Sequence, residues 1–328
     1  MRNAAPATVV APTALSTDVH AELGAVDLTR TEWPGEMVDV GGRAVHVRTT
    51  PGPEGAVPAV YVHGLGGSAT NWTDLAGALA PLMPGYALDL PGFGRSEPPA
   101  DGDYSLPGCA DLVIDYLEQQ PAPVHLFGNS MGGAIAILVA ARRPDLVQTL
   151  TLVSPAVPDL RPDPRRVSDL RMVLAVVPII GRLVRQQLAE TPAERRAEQM
   201  IRLCFADPDA VPENKIAAAV QEADERKGQS WASSALNKSF NAILQTWVTL
   251  PHRSLWSVAG KVQAPTLVVW GTKDRLVTVE RAPKLVAVIR RSRLLVFNQV
   301  GHVAQMERPV AVARAVRGML QEVQEGQW

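Results

Sequence analysis

The sequence predicts an α/β fold, a mainly parallel sheet flanked by helices, with a block of helices inserted late in the chain. Three observations carry this. Short apolar runs bounded by turn residues alternate with longer helical patterns, which is the rhythm of β-α-β units. That rhythm stops after residue 153 and resumes at residue 266. The chain is also 46% hydrophobic and 20% charged, ordinary globular usage that can bury a core without staples.

Eight strand candidates follow in order. Residues 45–48 alternate polar and apolar like an antiparallel strand, with 38–40 as hairpin partner. Residues 57–62, 86–90, 124–127, 150–153, 266–270 and 294–297 are continuous apolar runs, as expected of strands buried on both faces. Helical patterns cover residues 72–82, 107–119, 131–143, 279–290 and 309–324. The last places Val312, Val316, Met319 and Val323 on one face, the stripe of a surface helix packed on a sheet.

The expected organisation is a loosely ordered arm over 1–30, a first core segment over 31–155, a helical cap or lid over 156–262, and a second core segment over 263–328. In the arm, Pro6 and Pro12 interrupt the apolar run of about 7–15 residues that a secretory signal needs. The apolar run 172–181 contains Pro178 and falls short of the roughly 18–20 residues of a membrane span. A cytoplasmic location is therefore the expectation. With 32 Lys+Arg against 33 Asp+Glu, nothing draws the chain to nucleic acid. Two cysteines, Cys109 and Cys204, cannot frame a disulfide scaffold, and no zinc-type spacing occurs.

Chemistry enters at Gly128-Asn129-Ser130-Met131-Gly132-Gly133, between a strand and a helix. G-x-S-x-G in that setting is a nucleophile elbow, where serine sits on a sharp turn that only glycines permit. Gly128 and Gly132 are the supporting glycines here. The helix start also aims free N–H groups at developing negative charge. A second feature, His63-Gly64-Leu65-Gly66-Gly67, follows the strand at 57–62. An acyl-transfer site needs two N–H donors for its oxyanion; Leu65, with Gly66 as alternative, and Met131 are the candidates. His63, Gly64 and Gly66 are expected to brace this loop.

A serine hydroxyl needs a base, and the base needs an orienting acid. Of six histidines, His20 lies in the arm, His46 and His125 lie in strands, and His252 lies in the inserted block. His302 follows the last strand, at the carboxyl edge of the sheet where open α/β folds bind ligands, and is the expected base. Asp274, after the strand 266–270, is the expected acid, with Asp159 as competitor. The order Ser130, Asp274, His302 is the order of this kind of triad. Asp89 is expected to pin its own loop and Glu307 to cap the last helix.

Residues from about 36 to 324 resemble the α/β-hydrolase fold superfamily through HGLGG, DLPGFGRS, GNSMGG, GTKDRLV and GHVAQMERP, all in the expected order. The resemblance implies a serine hydrolase that needs no metal or organic cofactor and acts on a small ester. Ser130 argues against the dehalogenase and epoxide-hydrolase branches, which place Asp at the elbow. GNSMGG is also similar to the elbow of C–C hydrolases acting on aromatic ring-fission products. Those enzymes usually carry proline where Gly67 stands, and tryptophan where Val303 and Met306 stand. The departures favour an esterase or lipase-like reading. The C–C hydrolase and a non-catalytic ligand receptor are kept as alternatives.

Residues 161–202 hold nine arginines against five acidic residues and flank the apolar run. An Arg-rimmed apolar lid suits weak contact with a lipid surface. The plainer reading, a cap helix packed on the core with its basic face in water, is preferred. Trp231, Trp247 and Trp256 are expected to wall the pocket or the cap's own small core.

Overall fold

The computed structural model describes residue 23 and residues 27–159 and 191–328. Nearly all of the expected arm, and most of the basic segment with its apolar run 172–181, lie outside the described residues.

The eight strands are β1 (Gly35–Val40), β2 (Arg43–Thr50), β3 (Ala59–Val62), β4 (Gly85–Leu88), β5 (Val124–Asn129), β6 (Val147–Val153), β7 (Thr266–Gly271) and β8 (Ser292–Phe297). They form one sheet in the order β1-β2-β4-β3-β5-β6-β7-β8. β1 pairs antiparallel with β2 in the register Val38↔Val45, and β2 pairs antiparallel with β4. From β4 to β8 every pairing is parallel.

Strand side chains alternate between the two faces of a sheet, and both faces here are apolar. Val60, Val62, Leu126, Leu152, Val268 and Trp270 join one core, under α2 (Leu106–Glu118) and α3 (Met131–Arg142). Tyr61, Phe127, Val153, Leu267 and Val269 join the other, with Trp72 and residues of α1 (Thr73–Leu79). This two-sided burial is why the strands read as unbroken apolar runs rather than as alternation.

Between β6 and β7 the described residues form α4 (Ala193–Cys204), α5 (Glu213–Lys227), α6 (Ala232–Trp247) and the short α7 (Leu255–Ala259), with no strand among them. α7 buries Leu255 and Ala259 in the core that α3 shares, so it packs beside α3. α4, α5 and α6 occupy the place of the cap. After β7 come α8 (Ala282–Val288), α9 (Ala304–Glu307) and α10 (Pro309–Gln324). Val312, Val316 and Met319 of α10 are buried as the stripe requires. Among the described residues no helix is long and apolar enough to cross a membrane.

Candidate active site

The parallel strands end together at their carboxyl edge, and the chemistry-bearing loops leave from there. β5 runs to Asn129, and α3 starts at Met131, so Ser130 alone makes the turn, at φ 53° and ψ −117°. A serine in that region is strained and persists only where its surroundings fix it. They do. Ser130 N–H donates to Val153 O at 3.0 Å, and Ser130 O accepts from Ala134 N–H at 3.1 Å and Ala156 N–H at 2.8 Å.

The glycines around Ser130 are required by backbone contact. A Cβ on Gly132 would lie 2.2 Å from Val62 O and 2.5 Å from His63 O, and one on Gly128 would lie 2.4 Å from Gly132 O. α3 can therefore start against the ends of β3 and β5 only if both positions lack a side chain. Gly64 comes equally near the serine: its Cβ would stand 3.0 Å from Ser130 Cβ. The HGLGG loop and the elbow are thus adjacent.

Within that loop His63 is fully buried, its Nε2 accepting from Leu90 N–H at 2.9 Å and its Nδ1 facing Gly64 O at 2.7 Å. This pattern is that of a neutral ring protonated at Nδ1. Burial holds its pKa below the ordinary imidazole value, against the opposing field of Asp89. Asp89 in turn receives His46 Nδ1 at 2.8 Å, Ala69 N–H at 2.7 Å and Arg95 N–H at 3.0 Å. Burial pushes that carboxyl up, but these donors outweigh it and leave the pKa lowered. Asp89 holds its own loop to β2 and the turn at Ala69.

Among the described residues the N–H groups of Leu65, Gly66 and Met131 donate to no backbone acceptor. Met131 opens α3 and is fully buried, and the first N–H groups of any helix lack internal partners. Gly66 takes φ +74°, and a Cβ there would lie 3.5 Å from Leu236 Cδ1 of α6 and 3.5 Å from Met200 Cε of α4. The cap therefore lies over this loop with apolar side chains.

His302 and Asp274 meet directly. His302 Nδ1 lies 2.9 Å from Asp274 Oδ2, both side chains being almost wholly buried. The other carboxylate oxygen, Oδ1, accepts from Leu276 N–H at 2.9 Å and Val277 N–H at 3.0 Å. The imidazole's remaining nitrogen, Nε2, is buried and has no hydrogen-bond partner among the described residues. The competitor Asp159 is buried too, but it pairs with Arg281 of the turn before α8. Of the other histidines, His125 faces Thr149 Oγ1 at 2.9 Å, and burial pulls its pKa down to about 4. His252 stands exposed on a surface turn, and His20 lies outside the described residues.

Two residues that the motif spacing left without a site role hold the His302 loop, Asn129 from the elbow and Glu307 from the end of α9. Asn129 Nδ2, at the end of β5, donates to Val153 O at 3.0 Å and to His302 O at 3.2 Å. The signal was its place beside the serine, where a short amide can reach neighbouring loops. Glu307 does not cap α10, whose N-cap residue Arg308 makes no side-chain capping bond. Its carboxylate accepts instead from Gly301 N–H at 2.7 Å and Ala206 N–H at 3.0 Å.

This constellation sits in a sequence that matches the model of the alpha/beta hydrolase fold family over residues 58–309. The chain belongs to that family. It is 28% identical to lipase 3 of Moraxella sp. (strain TA144) over 257 residues, covering 76% of this chain and 73% of that one. It is 29% identical to a 2-hydroxy-6-oxononadienedioate/2-hydroxy-6-oxononatrienedioate hydrolase of Cupriavidus pinatubonensis (strain JMP 134 / LMG 1197), covering 80% of this chain and 86% of that one. Among solved structures it is similar to a membrane phospholipase A described as a bacterial virulence factor. That match has a TM-score of 0.72 and 25% identity, and covers 95% of this chain and 92% of the other. The chain is a hydrolase of the α/β family, with lipases and C–C bond hydrolases among its relatives.

Proposed function

We propose that the protein hydrolyses carboxylic esters with an apolar acyl or alcohol part, through an acyl-enzyme on Ser130. The observation that carries this is the His302–Asp274 pair. A buried imidazole held at Nδ1 by a carboxylate keeps Nε2 free as a proton acceptor. Asn129 ties the same loop to the elbow that presents Ser130.

In this reading Ser130 Oγ attacks the ester carbonyl as its proton passes to His302 Nε2. The carbonyl π electrons move onto oxygen, where the N–H groups of Leu65 and Met131 hold the charge. Asp274 stabilises the imidazolium. The tetrahedral adduct collapses, the alkoxide leaves with the proton from His302, and an acyl-Ser130 remains. Water then attacks that acyl group, His302 again taking the proton and returning it to Ser130 as the carboxylic acid departs. No step calls for a metal or an organic cofactor.

The apolar preference rests on Met200 and Leu236, which approach the glycine loop from the cap, and on the likeness to a lipase. A second reading, C–C bond cleavage in a ring-fission product, is favoured by the comparable likeness to a hydrolase of such compounds. Kinetics with p-nitrophenyl esters of increasing chain length, run beside a ring-fission product, separate the two. For an esterase, kcat/KM is expected to rise with acyl length and to exceed that for the ring-fission product. A flat ester profile with faster C–C cleavage would reverse the assignment. Ser130→Ala is expected to abolish ester turnover while the fold remains.

A further inference from the structure

The cap and the His302 loop are joined by backbone. His302 N–H donates to Cys204 O, the last residue of α4, at 2.7 Å. One residue earlier, Gly301 N–H donates to Glu307 Oε1 at 2.7 Å, while Glu307 Oε2 accepts from Ala206 N–H, just past α4, at 3.0 Å. A single carboxylate therefore bridges the histidine loop and the chain leaving the cap helix. The two segments are in close contact: a Cβ on Gly301 would fall 2.3 Å from Cys204 O and 2.8 Å from Ala206 N. From the acid's side of the pair, Arg275 reaches the same turn, donating to the carbonyls of Arg202 and Phe205. The immediate neighbours of both Asp274 and His302 thus grip the end of α4.

We propose that Glu307 is a positioning residue for His302, clipping the histidine loop to the end of α4 so that the base stands correctly only when the cap is docked. The proposal rests on the reading of His302 as the base of Ser130. Three contacts set the imidazole: Asp274 at Nδ1, Asn129 at the carbonyl, and the backbone held by Cys204 and Glu307. Releasing Gly301 N–H leaves the last of these resting on Cys204 O alone, and the loop can then shift relative to the fixed elbow. A displacement of about 1 Å at a reacting group costs on the order of a hundredfold in rate. Glu307 bonds to backbone on both sides, so its loss acts on the chemical step rather than on substrate affinity.

The test uses the full chain with Glu307→Gln, Glu307→Ala and, as control, Ser130→Ala. Three quantities are read: the rate of labelling by a fluorophosphonate, and kcat and KM for a p-nitrophenyl ester. Circular dichroism checks that each variant is folded. Gln keeps one acceptor oxygen and Ala keeps none, so the graded expectation is a fall of about tenfold for Gln and about a hundredfold for Ala. Labelling rate and kcat should fall together, with KM within about threefold of the parent. A folded Glu307→Ala that labels and turns over at the parent's rate would overturn the proposal, as would a loss confined to KM. Should Glu307→Ala fail to fold, Glu307→Gln decides by the same criterion. Undiminished labelling of Ser130→Ala would instead remove the nucleophile assignment, and the proposal with it.

Discussion

Replacing Asp274 by Asn changes one atom of the side chain and almost none of its volume, yet the surroundings dictate a large effect. Oδ1 accepts two backbone N–H groups, from Leu276 at 2.9 Å and Val277 at 3.0 Å. In the amide only the carbonyl oxygen can face those donors, so the NH2 group must turn towards His302 Nδ1. Nδ1 then has to accept, and the ring proton moves to Nε2. A protonated Nε2 cannot take the proton of Ser130, and the imidazolium loses its counter-charge. The expected loss in kcat is about 10⁴-fold, equivalent to about 5.5 kcal/mol of barrier, the size this exchange has in serine-protease triads. Steady-state hydrolysis of a p-nitrophenyl ester, with fluorophosphonate labelling as a second reading of Ser130, measures it. A folded Asp274→Asn enzyme with kcat within tenfold of the parent would refute the tautomer argument.

Three further outcomes follow from the same geometry. Asp159→Asn should leave kcat within about threefold of the parent, because Asp159 pairs with Arg281 rather than with His302; a loss comparable to that of Asp274→Asn would transfer the acid role. Gly132→Ala should cost at least about 2 kcal/mol of stability, the range of severe overpacking, since its Cβ would stand 2.2 Å from Val62 O; an unchanged melting temperature contradicts the packing account. His125, with its pKa lowered to about 4 by burial, stays neutral when folded but gains a proton near pH 6.5 when unfolded. The unfolded chain therefore binds more protons between those values, and stability falls as pH drops below about 6.5. His125→Gln should remove on the order of 2 kcal/mol of the difference between pH 7.5 and pH 5 in urea unfolding; an unaltered difference would show that His125 is not a source of it.

The strands were legible because both faces of the sheet are buried, which turns each strand into a recognisable apolar run. β7 was expected over 266–270 and spans Thr266–Gly271. β6 starts at Val147, three residues before the run that signals it. Thr149 hides its polarity by meeting His125 across the sheet, a partner invisible to a one-strand pattern. The helix expected over 279–290 divides into a 3₁₀ turn, Val279–Arg281, and α8. It stops early, with Ile289 at an extended φ −87° and ψ 109°.

At the site, the motifs announced that Asp274 and His302 pair, since each follows a strand at the edge where Ser130 also stands. They could not announce Glu307's partners. A carboxylate at the start of a helix reads as a cap, and Ala206, its second backbone partner, lies 101 residues away in the chain. The tryptophans of the inserted block were legible only as apolar mass. Trp247 spans from α6 to Ala156 O with its Nε1 at 3.3 Å, and Trp256 lies under the Lys284 ammonium at 4.3 Å. Of the arginines in the basic segment, Arg196 turns inward to Ala223 O at 2.6 Å and knits α4 to α5. Composition alone cannot separate such an internal arginine from one offered to a surface.

Acylation of Ser130 is the step on which the proposed reaction turns, and its intermediate can be trapped. The protein is mixed with a p-nitrophenyl ester, quenched in acid during the first turnover, and its mass is measured intact and after digestion. An added acyl group in near-stoichiometric amount is expected on Ser130, and none in Ser130→Ala. Hydrolysis that proceeds while the adduct maps to another residue would contradict that step.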